Sequence, residues 1–208
     1  ADDRSDRQES LFADGDFGDE EVGTQHFQYR GQYIVSATSS GLMIVDQHRA
    51  HLRVLYDKYM AQIARQENAS QGLLFPELLT LPPSDAQILE SIQDDVRHLG
   101  FDIVPIGGGS FSINGLPSGI EGLEPQTVLC DMIESVRHGK SLDLSECRRR
   151  MVLSLARMAA IVEGQVLSQD EMDVLMSDLF RSTNPNVSPD GKVIIVILAQ
   201  ESIGKMFL

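Results

Sequence analysis

A short stretch of the chain, Asp46-Gln47-His48-Arg49-Ala50-His51, has residue types that suit a metal site. An acidic residue at a strand end and histidines on the first turn of a helix offer oxygen and nitrogen ligands to a divalent cation. Asp57 follows about two to three helical turns later and adds another carboxylate. Structural roles for the same polar side chains are the alternative, and the residues by themselves leave both interpretations open.

Three other patterns do not point to catalysis. The Gly-Gly-Gly at 107–109 lacks the spacing of a phosphate-binding loop and links two predicted strands, so it predicts a hairpin turn. The Arg-Arg-Arg at 148–150 could contact phosphate, but such a run is more typical of a solvated helix start that pairs with nearby acids. Cys130 and Cys147 form neither a CxxC pair nor a zinc pattern, which favours ordinary reduced cysteines.

A hairpin and a helix must position the Asp-Gln-His stretch. Residues 27–37 alternate in polarity and are rich in aromatic and β-branched side chains, which predicts one strand. A turn at 38–41 and an apolar strand at 42–45 complete a hairpin. Residues 47–64 predict a helix, because one of its faces carries apolar and histidine side chains at helical spacing: His48, Leu52, Leu55 and Tyr59.

The remaining elements mix strands and helices without regular alternation. Residues 72–81 predict an edge or bulged strand, because Pro76 cannot donate to a sheet, and Pro82 and Pro83 end it. Capping-box patterns at Ser84 and Ser168 predict helix starts. Further helices are predicted at 84–99, 125–138, 146–162 and 168–181, and further strands at 101–105 and 110–116. A terminal strand covered on both faces is predicted at 192–199. The fold class is therefore α+β.

Acidic charge is concentrated at the beginning of the chain. The formal net charge is −14, and residues 1–22 contain nine acidic residues against Arg4 and Arg7. These residues are poor in apolar side chains, which predicts a disordered acidic linker. An acidic surface repels phosphate, so we expect weak binding of nucleic acid. The sequence contains neither a membrane-spanning run nor a signal peptide, so a cytoplasmic location is expected.

The stretch from Ile44 to Tyr56 resembles the C-terminal domain of MutL-type DNA mismatch repair proteins, and the likeness extends over residues 24–208. The resemblance implies a domain that forms homodimers and that a linker joins to an N-terminal ATPase domain. It also implies a dimerisation subdomain built from both ends of the chain, residues 24–82 and 146–208. An external α+β subdomain, residues 83–145, is inserted between them.

Departures from the nuclease-competent members of this family suggest that metal chemistry has been lost. Those members have Asp-Gln-His-Ala, then Glu after two residues and Glu after four more. Here the Ala and the two Glu positions are Arg49, Leu52 and Asp57. The family's cysteine in a later helix corresponds to Arg157, and the Cys and His of its last loop correspond to Ser188 and Asp190. These changes remove soft and nitrogen ligands suited to zinc or manganese.

Asp46, His48, Asp57 and Asp190 are therefore interpreted as vestigial positions, with no catalytic residue, metal or cofactor in this fragment. Asp46 is predicted to cap the helix, and His48 to pack or form a hydrogen bond. The expected function is that of a non-enzymatic homodimerisation and docking module, with a MutS-type mismatch recognition protein among its partners. The full-length protein is expected to be an ATPase through its N-terminal domain. The alternative is a residual metal-dependent nicking endonuclease that uses the four vestigial positions.

The segment Gln71-Gly72-Leu73-Leu74-Phe75-Pro76 resembles the motif by which some family members bind the replication sliding clamp. In that interpretation Gln71, Leu74 and Pro76 are the binding residues, in an extended segment that offers Leu74 to a pocket. The alternative is a plain edge strand, and the sequence does not decide between them.

Overall fold

The computed structural model describes residues 25–67, 69–120, 122–139 and 143–208. The linker predicted at residues 1–22 lies outside the described residues. Helices and two small antiparallel sheets make up the described part of the chain, which confirms the α+β class. No described helix is both long enough and apolar enough to cross a membrane.

Strands and helices are interspersed along the chain. The strands are β1 (Phe27–Tyr29), β2 (Tyr33–Thr38), β3 (Gly41–Asp46), β4 (Gln71–Thr80), β5 (Asp102–Gly107), β6 (Ser110–Leu116) and β7 (Ile195–Ala199). The helices are α1 (Gln47–Arg65), α2 (Pro83–Ser91), α3 (Gln93–His98), α4 (Pro125–Arg137), α5 (Leu144–Ala159), α6 (Gln169–Arg181) and α7 (Gln200–Lys205).

The first sheet has the strand order β1-β2-β3-β7, and β2 and β3 form the predicted hairpin. The prediction of one strand over residues 27–37 is wrong. Arg30 and Gly31 both have positive φ, 56° and 61°, and Gln32 N donates to Tyr29 O at 3.1 Å. This tight turn folds β1 back onto β2, so that the two halves of the alternating segment pair with each other.

The terminal strand also differs from its prediction. Among the described strands, β7 pairs with β3 alone and forms an edge of the sheet, and Val196 on its open face is 52% exposed. Residues 192–194 do not continue this strand. They fold back towards residues 186–188 through a bridge between Val187 and Val193 and a hydrogen bond from Ile194 N to Asn186 O of 2.9 Å.

Helix α6 covers the inner face of the first sheet. Its apolar side chains Met172, Leu175, Met176 and Leu179 are buried against Ile34, Met43, Val45 and Ile195. The capping box predicted at Ser168 is present: Ser168 Oγ accepts from Glu171 N, and the Glu171 carboxylate accepts from Ser168 N at 2.7 Å. Both bonds satisfy backbone donors that the first turn of a helix leaves free.

The second sheet has the order β4-β6-β5 and packs on a larger core with α1, α4 and α5. Pro76 lies in the edge strand β4, as predicted, where a missing backbone N–H is tolerated. The capping box predicted at Ser84 is wrong. Helix α2 begins at Pro83, whose fixed φ suits a first helical position, and Ser84 Oγ donates to Asp85 instead.

The helix predicted over 84–99 is interrupted at Ile92, which ends α2 and precedes α3. Pairing in the second sheet crosses the subdomain boundary predicted after residue 82, because β4 precedes this boundary and β6 follows it. The division into residues 24–82, 83–145 and 146–208 stays a prediction.

Candidate functional site

Asp46 caps helix α1 as predicted. Its Oδ1 accepts the backbone N–H of Arg49 at 3.0 Å, and its Oδ2 lies 3.3 Å from Arg49 Nε. The Arg49 guanidinium also donates from Nη1 to the carbonyl of Val193 at 2.7 Å. The carboxylate thus satisfies a helix terminus and pairs with a cation that is itself bonded to the segment before β7.

Gln47 is fully buried and is the polar hub of the site. Its Nε2 donates to Gly31 O at 2.7 Å and to Gln165 O at 3.0 Å, while its Oε1 accepts from Gln28 Nε2 at 2.6 Å. These bonds join the β1–β2 turn to the loop before α6. Local sequence patterns do not predict these hydrogen bonds of Gln47, because its three partners lie at least 16 residues away in the chain.

His48 and His51 bind the backbone of the same residue, Ile161, on its carbonyl and its N–H. His48 Nδ1 lies 2.8 Å from Ile161 O and must donate, because a carbonyl only accepts. His51 Nδ1 accepts from Ile161 N at 3.0 Å. Burial is the main cause that lowers the pKa of His51 to about 4, and the neighbouring His48 and Lys58 act in the same direction. Both imidazoles therefore have structural partners.

Asp57 is held by helix α1 and by the end of α6. Its Oδ1 lies 3.1 Å from Arg53 Nη1, and its Oδ2 accepts from the N–H of Thr183 at 2.8 Å and from its hydroxyl at 2.9 Å. The same Arg53 donates from Nε and Nη2 to Val187 O at 3.0 and 2.9 Å. Both oxygens of this carboxylate are engaged by fixed donors.

Asp190 is surrounded by cationic and hydroxyl donors. Ser188 Oγ donates to its Oδ1 at 2.5 Å, while Arg157 Nη2 and Lys192 Nζ lie 3.2 and 3.4 Å from its Oδ2. Burial raises the pKa of Asp190, but the Ser188 hydrogen bond and the two cations outweigh it and leave the pKa below its usual value. The carboxylate is therefore ionised at neutral pH.

Two cross-strand rows on the open face of the first sheet are apolar. One cross-strand row contains a single apolar side chain from each of the four strands: Phe27, Val35, Ile44 and Val196. The next row adds Ala37, Leu42 and Leu198. Phe27 is 65% exposed, and Val35 and Ile44 are partly exposed. We call these seven side chains the open apolar face.

The segment that resembles a clamp-binding motif lies on the edge strand β4. Pairing with β6 is regular at Gln71 and Gly72, stops, and resumes at Glu77, so that residues 73–76 form a bulge. Leu74 and Phe75 are 87% and 78% exposed, whereas Leu73 packs against the larger core. Gln71 and Leu73 line a cavity of about 270 Å³ together with Leu116 and Leu123. Gln71 and Pro76 are exposed.

A model of the family described as the MutL C-terminal dimerisation domain matches residues 26–167, which is more than half of the chain. The chain belongs to this family. Its relatives include DNA mismatch repair protein MutL of Bacteroides fragilis, 47% identical over 96% of this chain and 32% of that protein. The MutL proteins of Phocaeicola vulgatus and Chlorobaculum tepidum are 43% and 36% identical over 90% and 87% of this chain.

The chain spans about a third of the length of the MutL relatives that it matches. Within this MutL domain, the four sequence-predicted positions do not converge on one ion. The described residues contain no group of three or more His, Cys, Asp or Glu side chains that could hold a metal. Asp46, Asp57 and Asp190 instead each lie beside an arginine.

Proposed function

We propose that this chain is the homodimerisation and partner-docking module of a mismatch repair matchmaker protein, and that it tethers N-terminal ATPase domains into a clamp around DNA. The observation that carries the proposal is the open apolar face, on which all four strands of the first sheet place apolar side chains in one row. Exposed apolar surfaces of this extent mark interaction sites in soluble proteins.

A second copy of the chain is the occupant that fits this face best. The face carries no charged side chain in either row, and it lies in a domain whose family is described as a dimerisation domain. Two such faces related by a two-fold axis would bury apolar side chains against apolar side chains. A stable interface needs about 800 Å² from each partner, and seven apolar side chains on four strands supply the centre of such a patch.

The test is the mass of the chain in solution measured by light scattering. We expect a dimer of twice 23.0 kDa for the wild-type chain and a monomer for Val196→Lys, because the lysine would have to be desolvated within the interface. Val174→Lys is the matched control, since Val174 on α6 is 60% exposed and lies outside the open apolar face. A monomeric wild-type chain, or a dimer that survives Val196→Lys, would contradict the proposal.

We propose further that the fragment is not an enzyme and takes no cofactor. The arginine pairs of Asp46, Asp57 and Asp190 support this, because each carboxylate is already paired with a cationic side chain. The competing function is manganese-dependent nicking by Asp46, His48, Asp57 and Asp190. A supercoiled-plasmid assay with manganese separates the two. We expect no nicking above the background, and nicking that Asp46→Asn abolishes would establish the nuclease instead.

We also propose that the β4 bulge docks on the replication sliding clamp through Gln71, Leu74 and Pro76. Exposure of Leu74 supports this, because a clamp pocket requires a free aliphatic side chain. In a pull-down with the clamp, the double substitution Gln71→Ala, Leu74→Ala should lower retention about tenfold, as expected for losing roughly 1.4 kcal/mol. Leu78→Ala is the control on the same strand, since Leu78 is 57% exposed and lies outside the bulge. Equal retention of all variants would remove the proposal.

The remaining partners follow from charge and family. A net charge of −14 supports weak contact of this domain with DNA, so that DNA binding by the whole protein would depend on other domains. A MutS-type mismatch recognition protein is the proposed regulatory partner, and the cytoplasm the proposed location. Binding of the isolated chain to duplex DNA at low salt, measured by fluorescence anisotropy, should be weaker than that of the full-length protein.

A further inference from the structure

We infer that three arginines, Arg49, Arg53 and Arg157, position the segment of residues 183–193 and thereby set the position of β7 in the open apolar face. We call residues 183–193 the arginine-held segment. The inference rests on the proposed function in one respect: it assumes that the open apolar face, to which β7 contributes Val196 and Leu198, is where two copies meet.

The arginine-held segment has almost no apolar anchor of its own. None of its residues belongs to either of the two buried apolar cores, and Ser188 is its single buried side chain. The segments on both sides are anchored, by Leu179 in α6 and by Ile194 and Ile195 at the start of β7. Polar contacts must therefore fix the path between these two anchors.

Arg53 makes the central contact, and it is the least exposed of the three arginines. Its side chain is 11% exposed, and the Asp57 side chain with which it pairs is 18% exposed. Nε and Nη2 donate together to the carbonyl of Val187, while Nη1 faces Asp57. Because Asp57 also binds Thr183, one cation and one carboxylate on α1 fix the beginning and the middle of the segment.

Arg49 fixes the end of the arginine-held segment, at Val193, and Arg157 fixes its tip, at Asp190. Arg49 reaches the carbonyl of Val193 from the first turn of α1, and Arg157 reaches the carboxylate of Asp190 from the last turn of α5. Asp190 in turn accepts from Ser188 Oγ, which also accepts the N–H of Lys192. The segment is thus held from two helices at four residues, Thr183, Val187, Asp190 and Val193.

The arginine-held segment leads directly into β7. Asp46 N donates to Ile194 O at 3.0 Å, and the next residue, Ile195, pairs with Val45 in the sheet. Val196 follows in the open apolar face. Displacing Val193 or Val187 would therefore shift the strand that completes the four-residue row, and it would weaken the dimer without touching an interface side chain.

The experiment compares Arg53→Met with Arg65→Met in the complete chain. Arg65 lies on the same helix, but its side chain is 72% exposed and pairs with Glu67 at 3.6 Å. For Arg53→Met we expect amide exchange of residues 183–194 to accelerate about tenfold or more, with little change in the second sheet. The dimer dissociation constant should rise about tenfold. Arg65→Met should change neither quantity.

Two further variants keep the inference falsifiable if Arg53→Met folds poorly. Arg53→Lys keeps a charge for Asp57 but cannot make the paired bonds to Val187 O, so an intermediate change is expected. Arg157→Met removes a contact whose arginine is 51% exposed, and it should loosen residues 188–192 alone. Exchange of residues 183–194 that stays at the wild-type rate in Arg53→Met and Arg157→Met would overturn the inference.

Val196→Lys separates this failure from failure of the proposed function. If Val196→Lys gives monomers while Arg53→Met leaves the dimer constant unchanged, the dimer face stands and the arginine mechanism is wrong. If Val196→Lys remains a dimer, the dimer face is wrong, and faster exchange in Arg53→Met would then show that the arginines hold the segment without acting on dimerisation.

Discussion

The imidazole Nδ1 of His51 accepts the backbone N–H of Ile161 at 3.0 Å, directly after helix α5 ends. Accepting this bond requires an unprotonated Nδ1. The next peptide unit is fixed by His48, which donates to the carbonyl of Ile161. The turn that leads from α5 towards the Gln47 network therefore depends on a neutral histidine.

The first prediction is a loss of stability in mild acid. The pKa of His51 is about 4 in the folded chain, below the ordinary value of 6.5, mainly because of burial. The unfolded chain therefore takes up a proton first as the pH falls. The stabilising effect of neutral His51 is complete above pH 6.5, and it declines between pH 6.5 and about 4.

Urea unfolding at about pH 7.5 and about pH 4.5 measures this effect, which amounts to about 2 to 3 kcal/mol. His51→Asn should flatten this part of the pH dependence. His138→Gln is the control, because the His138 side chain is 66% exposed. A pH dependence that His51→Asn leaves unchanged would show that other groups are responsible.

The second prediction concerns Gln47. Gln47→Met keeps the volume of the side chain but leaves Gly31 O and Gln165 O without this donor. We expect a loss of about 2 to 3 kcal/mol in the free energy of unfolding, as for buried polar groups that lose a partner. Gln169→Met, whose amide bonds to Asp173 at the surface, should cost less than about 0.5 kcal/mol. Equal losses of unfolding free energy in Gln47→Met and Gln169→Met would contradict the structural role of the Gln47 hydrogen bonds.

The third prediction distinguishes a cap from a ligand at Asp46. Asparagine caps a helix as well as aspartate does, so Asp46→Asn should unfold at nearly the wild-type urea concentration, whereas Asp46→Ala should lose about 1 kcal/mol. The ion pair with Arg49 changes this little, because the Arg49 side chain is 38% exposed. If Asp46→Asn were as unstable as Asp46→Ala, the charge rather than the cap would be the important contribution.

The fourth prediction concerns the turn between β1 and β2. A Cβ at Gly31, where φ is 61°, would lie 2.7 Å from the carbonyl carbon of Gly164. Gly31→Ala combines backbone strain with this clash, so we expect the free energy of unfolding, measured by thermal unfolding, to fall by about 3 kcal/mol. Gly191→Ala is the matched control, because φ is 83° there and a Cβ meets nothing within 4 Å. Backbone strain alone should cost about 1 kcal/mol.

Local patterns in the sequence were sufficient to predict the β2–β3 hairpin, helix α1 with its Asp46 cap, the edge position of Pro76 and the capping box at Ser168. Each depends on residues close together in the chain, so the preferences of turns and caps apply directly. The turn at Arg30 and Gly31 was missed, because polarity alternates through it without interruption.

Contacts between distant residues could not be predicted in the same way. Arg53 and Val187 are 134 residues apart, and Gln47 and Gln165 are 118 residues apart. Nothing in either local pattern specifies the partner. The edge position of β7 was missed for a related reason: a continuous apolar run indicates burial, but it does not say whether the covering surface belongs to the same chain.

Helix α1 gives Ala50 to the core under the first sheet and Leu52, Leu55 and Tyr59 to the core under the second. Unfolding of either core would expose apolar side chains of helix α1, on which the other core also depends. Both sheets should therefore unfold in one cooperative transition, despite their separate strand orders. Mechanical load applied at the sheet edge β4 would reach the four-stranded sheet through this single rigid helix.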